Sequence, residues 1–150
     1  MITCPDCTPV EQHVLKQLQV RADVRDKTSL AVIMGNIKQE SNFQSNVCEG
    51  GAVVPYDQCL RGGYGLIQWT TQKRYDGLGE FCKKYECDPS SVEGQTRYMI
   101  NEMEFRRDLH AFQLLHQQLD YYMGAAYYWL GWGIHGNRTD YSYSFLNKLK

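Results

Sequence analysis

The stretch from Ser29 to Phe43, S-L-A-V-I-M-G-N-I-K-Q-E-S-N-F, constrains the fold of this chain more than any other. Leu30, Ile33, Met34 and Ile37 recur at the spacing of one helix face, and the next position on that face is Glu40. An ionised carboxylate on an apolar stripe is costly, so helices normally keep acids on the wet side. Here the acid falls where the helix should end, just ahead of the loop formers Ser41, Asn42 and Ser45. A carboxyl half desolvated at a cleft holds its proton to higher pH than a free one, the property a general acid needs. The other reading is a helix-end acid whose side chain turns into solvent.

The length of 150 residues suits one compact domain with one core. No apolar run is long enough to span a membrane, and Met1 is not followed by a basic and then apolar leader, so neither insertion nor signal-directed export is expected. A formal net charge of -1 argues against a nucleic-acid partner, which calls for a basic patch.

Six cysteines fall as three close pairs, Cys4/Cys7, Cys48/Cys59 and Cys82/Cys87. Neighbour pairing as disulfides is the simplest connectivity, and it places the working protein in an oxidising space. Closing the Cys48–Cys59 loop is worth about 3 kcal/mol by the loop-entropy argument. A zinc site built from Cys4, Cys7, Cys82 and Cys87 is the alternative. The four histidines, His13, His110, His116 and His135, show no ligand spacing, so neither a catalytic metal nor a cofactor is expected.

Along the chain, Thr8-Pro9-Val10-Glu11 reads as a helix start: a Thr cap, Pro at the first helical position and Glu three after the cap. The second helix, capped by Thr28 or Ser29, ends near Glu40, and its Gly35 permits close approach of another element. From Asn42 to Gly63 periodicity vanishes, leaving a long loop pinned by the Cys48/Cys59 pair. Tyr64 to Trp69 reads as a short strand or hairpin with Tyr64, Leu66 and Gln68 on one face. Thr70 or Thr71 caps a third helix. Asp88-Pro89 starts a helix reaching about Phe105, a short helix follows over Leu109–Leu119, and Asp120 caps a buried helix over Tyr121–Gly131. Gly124, Ala125 and Ala126 are expected to admit a neighbour there. Thr139-Asp140 opens the last helix.

Two segments then become familiar together. I-M-G-N-I-K-Q-E-S-N-F at 33–43, followed by G-Y-G-L-I-Q-W-T at 63–70, closely resembles the phage tail lysozyme family, within the lysozyme-like superfamily of goose-type lysozymes and lytic transglycosylases. The superfamily pattern has counterparts in Glu40-Ser41, Gly62 to Gln68 and Ala125-Ala126-Tyr127, and Gln95-x-x-Tyr98-x-x-x-Glu102 resembles the helix that follows. The likeness is strong over 29–103 and weaker over 121–149, while the first 28 residues, with their one helix, look private to this chain. It implies a single lysozyme-like α+β domain over 1–150, predominantly α-helical, with a small β-hairpin or sheet at the active-site cleft.

The resemblance further implies cleavage of the β-1,4 bond between N-acetylmuramic acid and N-acetylglucosamine in peptidoglycan, with Glu40 as general acid. Tyr64, Gln68, Trp69 and Tyr127 are the implied sugar-binding residues: Gln68 for an acetamido group, the rings for pyranose faces. Trp69 reads equally well as core. Tyr127 and Tyr128 divide the same way, one facing the groove and the other packing. A hydrolase needs a second carboxylate roughly 5–9.5 Å from the acid. Glu49, Asp57 and Asp76 are the nearest in sequence, and each is also an ordinary solvated acid by the simplest reading. A lytic transglycosylase needs no second group, because the substrate's own C6 hydroxyl attacks. The expected setting is a virion tail or baseplate, with other tail proteins as neighbours, acting on the host wall from outside the cytoplasm. A non-enzymatic virion plug or adaptor and a released endolysin are the rivals.

Overall fold

The computed structural model describes residues 1–60 and 62–150. Among them are seven helices: α1 (Pro9–Ala22), α2 (Lys27–Ser41), α3 (Gln72–Tyr85), α4 (Val92–Asn101), α5 (Met103–Gln113), α6 (Leu119–Leu130) and α7 (Arg138–Lys148), with a 3-10 turn at Tyr56–Gln58. The chain divides into two compact units, Met1–Gln39 with Ile100–Lys150, and Glu40–Met99.

In the first unit, α1 starts as its sequence predicts. The Thr8 hydroxyl accepts from the Glu11 amide at 3.1 Å, and the Glu11 carboxylate accepts from the Thr8 amide at 2.8 Å. The N-terminal segment is held by Gln19, whose side chain both accepts from and donates to the Ile2 backbone, and Thr3 exchanges two backbone hydrogen bonds with Lys150. α2 is buried more completely than its stripe implies: Leu30, Ala31, Val32, Ile33, Met34, Asn36 and Ile37 are all fully covered. Its cap is Asp26 and not Thr28 or Ser29. The Asp26 carboxylate accepts from the Ser29 amide at 3.1 Å and from the His116 amide at 2.8 Å. The Ser29 hydroxyl is spent on the Phe112 carbonyl. Gly35 does admit a neighbour, since a Cβ there would lie 2.5 Å from the Ser142 Oγ and 2.7 Å from its backbone nitrogen.

Three helix expectations need correction. The run predicted to continue from Pro89 to Phe105 starts only at Val92, because the Asp88 carboxylate turns back to the Ser90 amide. It breaks at Glu102 (ψ 141°), and α5 takes the place of the helix predicted over 109–119. Finally, α6 is buried on one side only: Tyr122, Ala126 and Trp129 are covered, whereas Tyr121, Tyr127 and Tyr128 are exposed. Tyrosine has an apolar body with a polar tip, so an aromatic-rich helix need not be interior. Gly124 faces open space.

The second unit holds its irregular segment without a sheet. Among the described residues there is no strand, only three isolated antiparallel bridges, Val47 with Val53, Cys48 with Tyr64 and Tyr64 with Trp69. The predicted hairpin is therefore absent. Gly65–Gln68 is a tight turn closed by the Gln68 amide on the Gly65 carbonyl at 3.0 Å, with Gly65 at φ 79° and Gln68 at φ 54°. Only one residue pair flanks it, too few for period-two alternation to develop. The six cysteines pair as neighbours, Cys4–Cys7, Cys48–Cys59 and Cys82–Cys87, and these bonds take up the thiols that a zinc site would need.

Candidate active site

Glu40 is the penultimate residue of α2 and is half-buried. The helix stops abruptly after Ser41 because Asn42 and Phe43 are both left-handed, at φ 52° and 61°. The hydroxyl of buried Ser41 donates to the Leu66 carbonyl at 2.7 Å, which ties the end of α2 to the Gly65–Gln68 turn. From its other side the turn is held by Gln95, fully buried on α4. Its amide oxygen accepts from the Leu66 amide at 2.9 Å, and its nitrogen donates to the Ser45 and Pro89 carbonyls at 2.6 and 2.8 Å. A side chain at position 65 would overlap that amide, so Gly65 is required both by its φ and by the close approach.

Of the predicted sugar-binding residues, Tyr64 is corrected, and Trp69 takes the core position that was its other reading. Both are fully buried. The Tyr64 hydroxyl donates to the Val54 carbonyl at 2.8 Å, and its ring meets Tyr56 and Tyr75 edge-on at 5.8 and 6.3 Å. Burial pushes its phenol pKa up. The Trp69 ring lies 5.4 Å from that of Tyr98. Because the two residues pair across one bridge, they share a fate that strand alternation would have divided between two faces. Neither ring has an open face for a pyranose.

Gln68 is partly exposed, and its amide nitrogen donates to the Val47 and Gly65 carbonyls at 3.2 and 2.9 Å. Its carbonyl oxygen remains on the side of Gly63, where the Glu49 carboxylate also lies. A Cβ placed on Gly63 would sit 3.2 Å from the Gln68 Oε1 and 3.2 Å from the Glu49 Oε2. Glu49 is exposed, and its amide is fixed to the Gly63 carbonyl at 2.7 Å. With Asp76, Thr70, Gln72, Tyr56 and Tyr75, Asp57 lines a cavity of about 290 Å³. Tyr56 and Tyr75 stack there at 4.3 Å. Burial, followed by the neighbouring Tyr75, pushes the Tyr56 phenol up to about 12.

Tyr127, in the first unit, is 49% exposed and meets Tyr128 and Trp132 edge-on at 5.6 and 5.3 Å. Tyr128 is also exposed, so neither tyrosine is core. Trp132 stands between Gly131 and Gly133, outside any periodic pattern that would mark it in the sequence. The structure seats it on the Arg138 guanidinium, 4.4 Å from the ring centre. The role of Gln95 was likewise missed, since a glutamine on a helix face gives no local sign of a buried hub.

Among the described residues no group of three or more His, Cys, Asp or Glu side chains could hold a metal, and no helix is long and apolar enough to cross a membrane. No curated protein and no solved structure matches the chain. A family model, phage tail lysozyme, matches residues 20–138. That span takes in α2, the turn and the helices through α6, and the chain belongs to the phage tail lysozyme family.

Proposed function

We propose that this protein is a peptidoglycan muramidase carried on a phage tail or baseplate, one lysozyme-like domain that cleaves the β-1,4 bond between N-acetylmuramic acid and N-acetylglucosamine with Glu40 as general acid. The family implies lysozyme-type action on peptidoglycan outside the cytoplasm. Support for Glu40 comes above all from its position, half-buried at the end of α2 beside Ser41, whose hydroxyl is anchored to the Gly65–Gln68 turn. A carboxyl there is restrained by the backbone yet accessible, as delivery of a proton to the leaving oxygen requires.

Glu49 is the best second carboxylate of the three nearest in sequence. It converges with Gln68 over Gly63, whereas Asp57 faces a cavity with Asp76. In this reading Glu49 activates the attacking water. The Gln68 carbonyl oxygen, with both amide protons already engaged, accepts from the N–H of an acetamido group. Tyr127 offers its exposed ring to a pyranose face. Should the substrate's C6 hydroxyl attack instead, Glu40 alone serves as acid and then base, and Glu49 is dispensable.

Isolated peptidoglycan incubated with the protein and with Glu40→Gln, and the fragments read by mass spectrometry, tests this. We expect soluble muropeptides from the wild type and a loss of about 10²–10⁴-fold in the variant. Reducing muramic ends mark hydrolysis, anhydromuramic ends transglycosylation. Absence of any release by the wild type would favour a virion plug, and equal activity in Glu40→Gln would remove the acid from its role.

A further inference from the structure

We propose that Gln39 and Gly136 form a positioning contact for Glu40, through which the connection between α6 and α7 sets the orientation at which the acid leaves α2. This rests on the reading of Glu40 as the general acid. The last turn of a helix lacks the onward hydrogen bonds of its interior and frays unless something grips it. Beyond the Ser41 tie to the Leu66 carbonyl, one short segment grips the residues just before Glu40. The Asn137 amide donates to the Gln39 side-chain oxygen at 2.9 Å. Gly136, at φ 57°, lies so close under the Gln39 amide that any side chain would overlap it. Arg138, 3% exposed, donates to the Asn36 side-chain oxygen at 3.0 Å while its guanidinium covers Trp132. Asn36 is itself fully buried and donates to the Val32 carbonyl at 2.8 Å. The Lys38 ammonium lies 4.8 Å from the centre of the Tyr141 ring.

Asn36, Lys38 and Gln39 are thus held by residues 136–141, and Ile37 between them is fully buried. Asn36 precedes Glu40 by four residues and shares its helix face, while Gln39 is joined to it directly. Displacing a catalytic group by about 1 Å costs on the order of 10²-fold in rate. Loosening this grip therefore acts on the chemical step before it acts on substrate affinity.

The test measures kcat, KM, the pH dependence of kcat and Tm on soluble peptidoglycan fragments for the full chain and three variants. Gln39→Met keeps the bulk and removes the acceptor. Gly136→Ala attacks the same contact from the other side, and the third variant carries both. We expect kcat to fall about 10- to 100-fold in each single variant, with KM within about twofold and a displaced pH dependence of kcat. The double variant should be little worse than the weaker single one, because both changes break one contact. A lytic wild type, an inactive Glu40→Gln and variants with unchanged kcat and pH dependence would overturn this inference alone. So would a Tm loss that fully accounts for the lost activity. A wild type without lytic activity overturns the proposed function and this inference with it.

Discussion

At the scale of single residues, the second unit is organised by polar groups that the hydrophobic pattern does not reveal. Gln95 satisfies three backbone groups at once and Ser41 a fourth, all in segments with no sheet to pair with. A buried backbone amide or carbonyl left without a partner costs about 1–3 kcal/mol, which is why irregular chain can lie inside a fold only when side chains close its hydrogen bonds. The tyrosines of this unit carry a second consequence. With its ordinary value at 10.0 and its folded value pushed up to about 12 by burial and by Tyr75, Tyr56 stays neutral well above its ordinary value. Its contribution to stability is fully present below pH 10 and is lost as pH rises towards 12. A spectrophotometric titration should therefore show a late phenolate step that coincides with alkaline loss of circular dichroism, and Tyr56→Phe should remove the contribution of that step. Glu40 was legible in the sequence because one acid interrupted an otherwise apolar stripe. Tyr64 lies inside and not at a groove, because adjacent aromatic and glycine residues in a six-residue run fit a strand and a tight turn equally well.

At the scale of elements, the local codes were read where the signal lay within one helical turn. The capping box of α1 and the Thr71 cap of α3, which accepts from the Arg74 amide at 3.3 Å, both follow from adjacent residue types. The break between α4 and α5 at Glu102 was not legible, since helix-favouring residues run through it and no proline or glycine marks it. Gly35 is where an element's own preference and its packing oppose each other. In an isolated helix Gly35→Ala would gain about 1 kcal/mol. Here the new methyl meets Ser142, including its backbone, at 2.5–2.9 Å, so α2 and α7 must separate. We expect Gly35→Ala to lower stability by about 1–3 kcal/mol, read from urea unfolding. A stabilised variant would show that the two helices part freely.

At the scale of the whole molecule, cross-linking and hydrogen-bonded loops stand where a sheet was expected, and the described residues form none. The Cys48–Cys59 bond closes the segment that carries Glu49 and Asp57, and two of the three bridges touch its residues. Replacing both cysteines by serine should cost about 3 kcal/mol in thermal or denaturant unfolding. Faster hydrogen exchange should appear over residues 44–60 before it appears in the core of α2. Unchanged exchange there would mean that the side-chain hydrogen bonds alone hold the loop. By itself the sequence determined the helical class, the starts of α1 and α3, the pairing of cysteines in close succession and the acid at the end of α2. Each of these is a local matter of residue spacing, capping chemistry or chain proximity. Only the tertiary structure decided that α6 is half exposed, that Tyr64 and Trp69 lie inside, that Gln95 supports the turn, and that residues 136–141 hold the α2 turn before Glu40. Those outcomes depend on which distant groups compete for burial and hydrogen bonds, and nothing in a residue's immediate neighbours fixes that competition.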